Sequence, residues 1–221
     1  ARLPQGASVP AIAPPHAEPE PEILSNEAED DRDNIRPGEL VLLIVENDIR
    51  FARVLLEAAL REGVKRFVHV STDEVYGSVE RGSSREADPL APRSPYAASK
   101  AASDLLALAY FVTHKLPVMV TRASNNFGPR QHPEKALPLM ITNWLQGLPY
   151  PLYGDGKNVR DWLFVEDHCR AIELVLRRGV PGQVYNVGGE RSCANLELVE
   201  RVRKLMGVPA SEMESVLREA V

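Results

Sequence analysis

Leu40–Val45 is an unbroken apolar run, LVLLIV, closed by Glu46, Asn47 and Asp48. A short apolar run with polar ends suits a strand buried on both faces. The period then changes. Across Phe51–Arg61, Val54, Leu55, Ala58 and Ala59 recur at helical spacing, and Gly63 stops the helix. Arg66–Ser71, RFVHVS, predicts a second buried strand. Strand, helix, strand in that order predicts a parallel α/β sheet. A polar loop occupies Gly77 to Pro92. Tyr96–Leu116 predicts one long helix, with Pro95 suited to its start and Pro117 just beyond its end. Val118–Arg122 predicts a third strand, and Asn125–Pro138 a loop. Leu139–Leu145 reads as helix, Asn158–Val165 as strand and Glu166–Arg178 as helix again. Val184–Val187 is a short strand ended by Gly188-Gly189. In Leu196–Met206, Leu196, Val199, Val202 and Leu205 stand at helical spacing. No internal repeat is visible.

Residues 1–38 lack any such period. Pro4, Pro10, Pro14, Pro15, Pro19, Pro21 and Pro37 break helices and interior strands. From Glu18 to Asp33 there are eight acids and one base, Arg32. A segment with so little apolar area does not offset its ordering entropy, so a disordered tail is expected. A solvated linker and an acidic docking tail are both compatible with it.

Composition narrows the class. The 221 residues are 44% hydrophobic and 26% charged, as in globular proteins generally. A net charge of −5 argues against a nucleic-acid surface, but leaves room for a local basic pocket holding a phosphate. No apolar run has the length of a membrane span, and no secretory-signal layout opens the chain. Cys169 and Cys193 form no CxxC pair, and no metal site is read. A cytoplasmic, reduced setting is the expectation.

Four polar runs carry candidate chemistry. Tyr96 and Lys100 stand four residues apart, so a helix places them on one face. A phenol with a pKa near 10 is a poor base at neutral pH, and a neighbouring ammonium favours its ionised form. The pair is a candidate proton acceptor for a sugar or alcohol hydroxyl, although a surface tyrosine beside a lysine has the same spacing. Ser71-Thr72-Asp73-Glu74 follows the second strand directly, where open α/β sheets bind ligands. The same residue types also suit a helix N-cap. Thr121–Pro129 follows the third strand in the same way and ends in a turn-like Gly-Pro. In Tyr153–Trp162, Arg160 offers a planar fork for a diphosphate, and the run is not a P-loop.

STDEVYG (71–77), SPYAASKAASD (94–104), SNNFGPRQHPEK (124–135), GDGKNVRDWLFVEDHCRAI (154–172) and VYNVGGE (184–190) together resemble the extended short-chain dehydrogenase/reductases. More narrowly, they resemble the dTDP-glucose 4,6-dehydratases. The resemblance runs over about residues 54–207, in family order. Thr-Asp-Glu is the discriminating element, because related sugar-nucleotide epimerases and decarboxylases usually carry small residues at the last two positions.

The resemblance implies a Rossmann-like sheet, NAD as cofactor, and a nucleotide sugar of the dTDP-glucose type as substrate. It implies Tyr96 as the base at the sugar O4, with Thr72 beside that oxygen. Lys100 would hold the phenolate and the nicotinamide ribose. Glu74 would remove the C5 proton and Asp73 protonate the leaving C6 hydroxyl. Asn125, Lys135, Tyr153, Arg160 and Asn195 would contact the nucleotide sugar, with Pro151 and Leu152 near the base. A homodimer is implied as well.

The sequence departs from the family at its start. Only Gly6 and Gly38 precede Gly63, so no glycine-rich GxGxxG or GxxGxxG can be drawn. Glu39–Ala52 instead resembles the first strand and helix start of a response-regulator receiver domain, with Glu46 and Asp48 at its Mg²⁺-binding acids. The expected organisation is therefore a tail over 1–38, an incomplete Rossmann-like α/β core over 39–125 with a receiver-like piece at 39–59, and a nucleotide-sugar-binding region over 126–221, the whole truncated at both ends. Two functions stand. One is an NAD-dependent 4,6-dehydratase. The other is a chimeric, non-catalytic remnant that binds nucleotide sugar or a partner but not NAD. A phosphate-accepting signalling module is a third reading. Weaker binding of NAD than of nucleotide sugar is expected.

Overall fold

The structure is a computed structural model that describes residues 41–43, 48–80, 82–152 and 154–209. The proline-rich tail, Glu46 and Tyr153 lie outside the described residues. The strand β1 (Val41–Leu43) falls inside the first apolar run. The helix α1 (Ile49–Arg61) begins two residues earlier than its period suggests, because the Asp48 carboxylate accepts from the Arg50 and Phe51 amides. Its buried stripe also differs. Ala52, Leu56 and Ala59 face inward, whereas Val54 is 56% exposed. The i, i+4, i+7 row that meets the neighbouring elements is thus rotated from the expected one.

The strand β2 (Phe67–Thr72) is followed at once by a short 3₁₀ turn, Asp73–Tyr76. The long helix α2 (Pro95–His114) starts at Ser94, whose hydroxyl accepts from the Ala97 amide, with Pro95 in the first turn. It ends at Lys115 in the left-handed conformation, before Pro117. The strand β3 (Val118–Ala123) is buried throughout. The expected loop after it holds two further elements, a strand β4 (Asn125–Phe127) and the first turn of α3 (Ala136–Leu145). Pro138 sits in that first turn, where amides have no intrahelical partner to lose. Then come β5 (Val159–Phe164), α4 (Val165–Arg178), β6 (Val184–Val187), an unforeseen strand β7 (Ser192–Ala194) and α5 (Asn195–Met206). On α5, Val199 is buried, but Leu205 is 87% exposed and does not share the inward face.

The main sheet has the order β1-β2-β3-β6, all parallel. Side chains alternate across it. Phe67, Val118 and Val120 pack with Leu56 and Ala107 of α1 and α2 on one face. Val68 and Met119 pack with Ile172 and Val175 of α4 on the other. This is the Rossmann-like α/β fold, present in part. A second sheet, β4-β5-β7, pairs β4 with β5 in parallel and β5 with β7 antiparallel. Beside it Met140, Trp144, Tyr150, Leu152 and Val199 form a smaller core between α3 and α5. Gly189 is required where the two sheets meet, since a Cβ there would stand 1.9 Å from the Trp162 carbonyl oxygen.

Candidate active site

Register decides what the strand ends share. Thr72 pairs with Ala123, and Ala123 with Val187, so β2, β3 and β6 finish level with one another. A cleft of about 590 Å³ opens just beyond, at the carboxyl edge of the parallel sheet. The 3₁₀ turn brings Asp73 and Glu74 to its wall, α2 brings Tyr96 and Lys100, and the β3–β4 segment brings Ser124, Asn125 and Asn126. All five sequence-derived catalytic candidates, Thr72, Asp73, Glu74, Tyr96 and Lys100, line this one cleft.

Their surroundings differ. Lys100 is 5% exposed, and its ammonium donates to the Val70 carbonyl oxygen at 2.8 Å. Tyr96, one turn earlier, is 40% exposed and accessible from the cleft. The Thr72 hydroxyl accepts from the Glu74 amide at 3.3 Å and lies 3.4 Å from Asp73 Oδ1, so it caps the turn and faces the cleft at once. Burial pushes the Asp73 carboxyl up from its ordinary value to about 6, and the neighbouring Glu74 and Asp161 charges add to this. The Thr72 hydrogen bond and Arg160 oppose the shift. A carboxyl raised in this way beside a second carboxyl suits a site that needs an acid and a base together.

This shift carries a stability consequence. A carboxyl whose folded pKa is raised contributes stability below its unfolded pKa, near 4, and loses it as pH rises through about 6. Asp73→Asn is therefore expected to be more stable than the parent above pH 7, by on the order of 1 kcal/mol once solvent screening of the half-buried group is allowed for. The difference should close below pH 4. Urea midpoints at both pH values check this, and a difference independent of pH would refute it.

A second cavity of about 180 Å³ adjoins the first, sharing Asn125, Ala136 and Trp162 with it. Arg160 from β5 and Asn195 from the start of α5 line it, with Met140 and Tyr150 as apolar wall. Lys135 lies at the head of α3, on the larger cleft. Pro151 and Leu152 line neither cavity, and Leu152 is buried in the smaller core instead. Tyr150, two residues earlier, holds the wall position. Trp162 and His168 also line the larger cleft and were not singled out, although both fall in a quoted run. The buried His168 Nε2 has no hydrogen-bond partner among the described residues, and burial lowers the imidazole's pKa.

Fit to a dinucleotide differs between the two ends. The nicotinamide end fits the cleft, where an exposed phenol and a buried ammonium sit beside the strand ends. No residue of α1 lines either cavity, and its first amides are already bonded to Asp48. A carboxylate at that position repels phosphate. Of the two acids read as receiver-type, Asp48 caps α1 and Glu46 lies outside the described residues.

Comparison with known proteins agrees with this geometry. A family model described as "NAD dependent epimerase/dehydratase family" matches residues 25–188. A dTDP-glucose 4,6-dehydratase of an Actinoplanes species is 59% identical over 164 residues, covering 74% of this chain and 51% of the relative. One from Streptomyces antibioticus is 55% identical over 178 residues, covering 80% and 52%. Among solved structures, the dTDP-glucose 4,6-dehydratase of Bacillus anthracis in complex with NAD superposes with a TM-score of 0.74 at 46% identity, covering 81% of this chain and 60% of that one. The Streptomyces venezuelae enzyme, also with NAD bound, gives 0.74 at 50% identity, covering 78% and 52%. The chain spans about half the length of the curated relatives it matches.

Proposed function

The chain belongs to the NAD dependent epimerase/dehydratase family, and from that premise we propose that it carries the catalytic half of a nucleotide-sugar 4,6-dehydratase acting on dTDP-glucose. The observation that supports this best is the convergence of Asp73, Glu74, Tyr96 and Lys100 on one cleft at the strand ends. It supports a dehydratase over a non-catalytic remnant, because the acid, base and phenol–lysine pair of the proposed reaction all open onto one cleft. It also favours dehydration over simple epimerisation, which needs no second acid and base.

When bound, NAD supplies a reversible hydride acceptor at the nicotinamide end of the cleft. The Tyr96 oxygen takes the proton of the sugar O4, and Lys100, fixed on Val70, keeps the phenolate favourable. The Thr72 hydroxyl lies beside that oxygen. A carbonyl at C4 acidifies C5, and Glu74 removes the C5 proton. Asp73, whose raised pKa of about 6 keeps a fraction of it protonated near neutral pH, gives its proton to the C6 hydroxyl, which leaves as water. Return at C6 of the hydride removed from C4, with a proton from solvent at C5, would saturate the resulting C5–C6 double bond and leave a 4-keto-6-deoxy sugar. Asn125 of β4, Lys135 at the head of α3, Arg160 of β5 and Asn195 of α5 hold the nucleotide and its diphosphate, with Tyr153 assigned there from the resemblance. A homodimer working in the cytoplasm belongs to the same proposal. Among the described residues no helix is long and apolar enough to cross a membrane.

The test is dTDP-glucose incubated with the protein in D₂O, with and without added NAD. A product lighter than substrate by one water and carrying deuterium at C5 supports the reading, and unchanged sugar under both conditions refutes it. Weak retention of NAD belongs to the same proposal, so turnover is expected to require added NAD. Full activity with no NAD supplied would overturn that expectation.

A further inference from the structure

Behind the carboxyl turn lies a buried polar network that the proposed chemistry does not use. Asp104 of α2 is 0% exposed and Arg122 of β3 is 3% exposed. The Arg122 Nε donates to Asp104 Oδ2 at 2.8 Å, while His69 Nε2 lies 3.2 Å from the other carboxylate oxygen. The Arg122 Nη1 donates to the Tyr76 hydroxyl at 2.7 Å, and that hydroxyl donates to Asn186 Oδ1 at 2.7 Å. The Asn186 amide group in turn donates to the Ser84 carbonyl oxygen at 3.1 Å, and its backbone N–H to Glu86 Oε1 at 3.0 Å. One chain of bonds therefore ties α2, β3, β6 and the loop at 84–86 to a single phenol.

That phenol is the last residue of the turn that presents the carboxyl groups. A single 3₁₀ turn has poor internal hydrogen bonding and does not hold its own position. Thr72 caps its first end. Tyr76 anchors the other, with the Arg122 guanidinium 4.8 Å from its ring centroid. Gly77 follows at φ 81°, where a Cβ would stand 2.2 Å from the Ala91 carbonyl oxygen. The Ala91 amide donates back to the Val75 carbonyl oxygen at 2.9 Å. Between these anchors only Asp73, Glu74 and Val75 remain.

A buried ion pair is poor value as a stabiliser, because apolar residues of equal volume often serve as well or better. Its retention calls for another reason. Neither Arg122, Asp104 nor Tyr76 lines the cleft. We propose that Arg122, held by Asp104, is a positioning residue: through Tyr76 it fixes where the turn presents Asp73 and Glu74 to the substrate. The arginine fork suits the task, since one planar group reaches a carboxylate and a phenol in different directions. The role rests on the dehydratase reading.

Tyr76→Phe keeps the ring and deletes only the hydroxyl, and Arg122→Lys keeps the charge without the fork. Amide hydrogen exchange reads the turn without any need for activity. Exchange at residues 73–77 is expected to accelerate at least tenfold more than at Val68 and Val120 in both variants. In steady state, kcat for dTDP-glucose should fall about tenfold with KM within twofold, since none of the proposed nucleotide contacts, Asn125, Lys135, Arg160 and Asn195, belongs to the turn or to the network behind it. Exchange that rises equally in turn and core, or an unchanged kcat beside an active parent, overturns the proposal. A parent without turnover refutes the dehydratase reading instead, and the exchange arm still decides whether Arg122 holds the turn.

Discussion

Tyr96→Phe is expected to lower conversion of dTDP-glucose by about three orders of magnitude, within the usual range for loss of a positioned base and equal to about 4 kcal/mol of barrier. The substitution removes one oxygen from a side chain that is 40% exposed, so the fold is little disturbed. Tyr96 is not among the proposed nucleotide contacts, Asn125, Lys135, Arg160 and Asn195, and binding of dTDP should stay within twofold of the parent. Loss of rate without loss of binding identifies a group that acts on the reacting atoms. Lys100→Ala should lose comparable rate for a different reason. Its ammonium is buried against the Val70 carbonyl oxygen, and its removal takes the positive charge from beside the phenol. That variant also empties the buried space of the lysine side chain and deletes its bond to Val70, so its stability falls as well. Single-turnover assays with saturating NAD separate the two. Parental turnover by Tyr96→Phe would exclude the phenol as the base.

Much of this site was legible before the structure because its parts are local. Tyr96 and Lys100 need only a helix to meet, and Thr72, Asp73 and Glu74 need only a strand that ends before them. The parallel register of β2 and β3 then does the rest. What was not legible depended on three dimensions. Strands β4 and β7 have three residues each, too few to show a period. The inward stripe of α1 turned on which neighbours it met, and packing chose Ala52 and Leu56 over Val54. That Tyr150 lines the second cavity, while the neighbouring Pro151 and Leu152 do not, depends on how the extended segment lies and not on composition. The pairing of Arg122 with Asp104 joins a strand to a helix across 18 residues of sequence, and no spacing rule announces it. Nor does sequence show that Asp73 is buried enough to titrate near 6.

Glu74→Gln is expected to uncouple the two halves of the reaction. Oxidation at C4 relies on Tyr96 and Lys100, which α2 supplies, whereas proton removal at C5 relies on the turn after β2. Glutamine keeps the volume and a hydrogen-bonding oxygen but has no basic carboxylate. Exchange of the C5 hydrogen with D₂O should therefore slow by a factor of 10² to 10⁴, the usual worth of a positioned base. Formation of NADH in the first turnover should fall by less than tenfold, so reduced cofactor accumulates where the parent shows little. The substitution also removes one of the charges that raise the Asp73 pKa. Asp73 should then titrate lower, be protonated less often at neutral pH and supply the departing hydroxyl with a proton less readily. Any residual elimination by Glu74→Gln should accordingly reach its limit at lower pH than in the parent. Stopped-flow absorbance of NADH together with mass-spectrometric deuterium uptake measures both halves on one sample. Equal losses in oxidation and exchange would make Glu74 a structural member of the turn, and the elimination base would have to be sought among the other groups on the cleft wall.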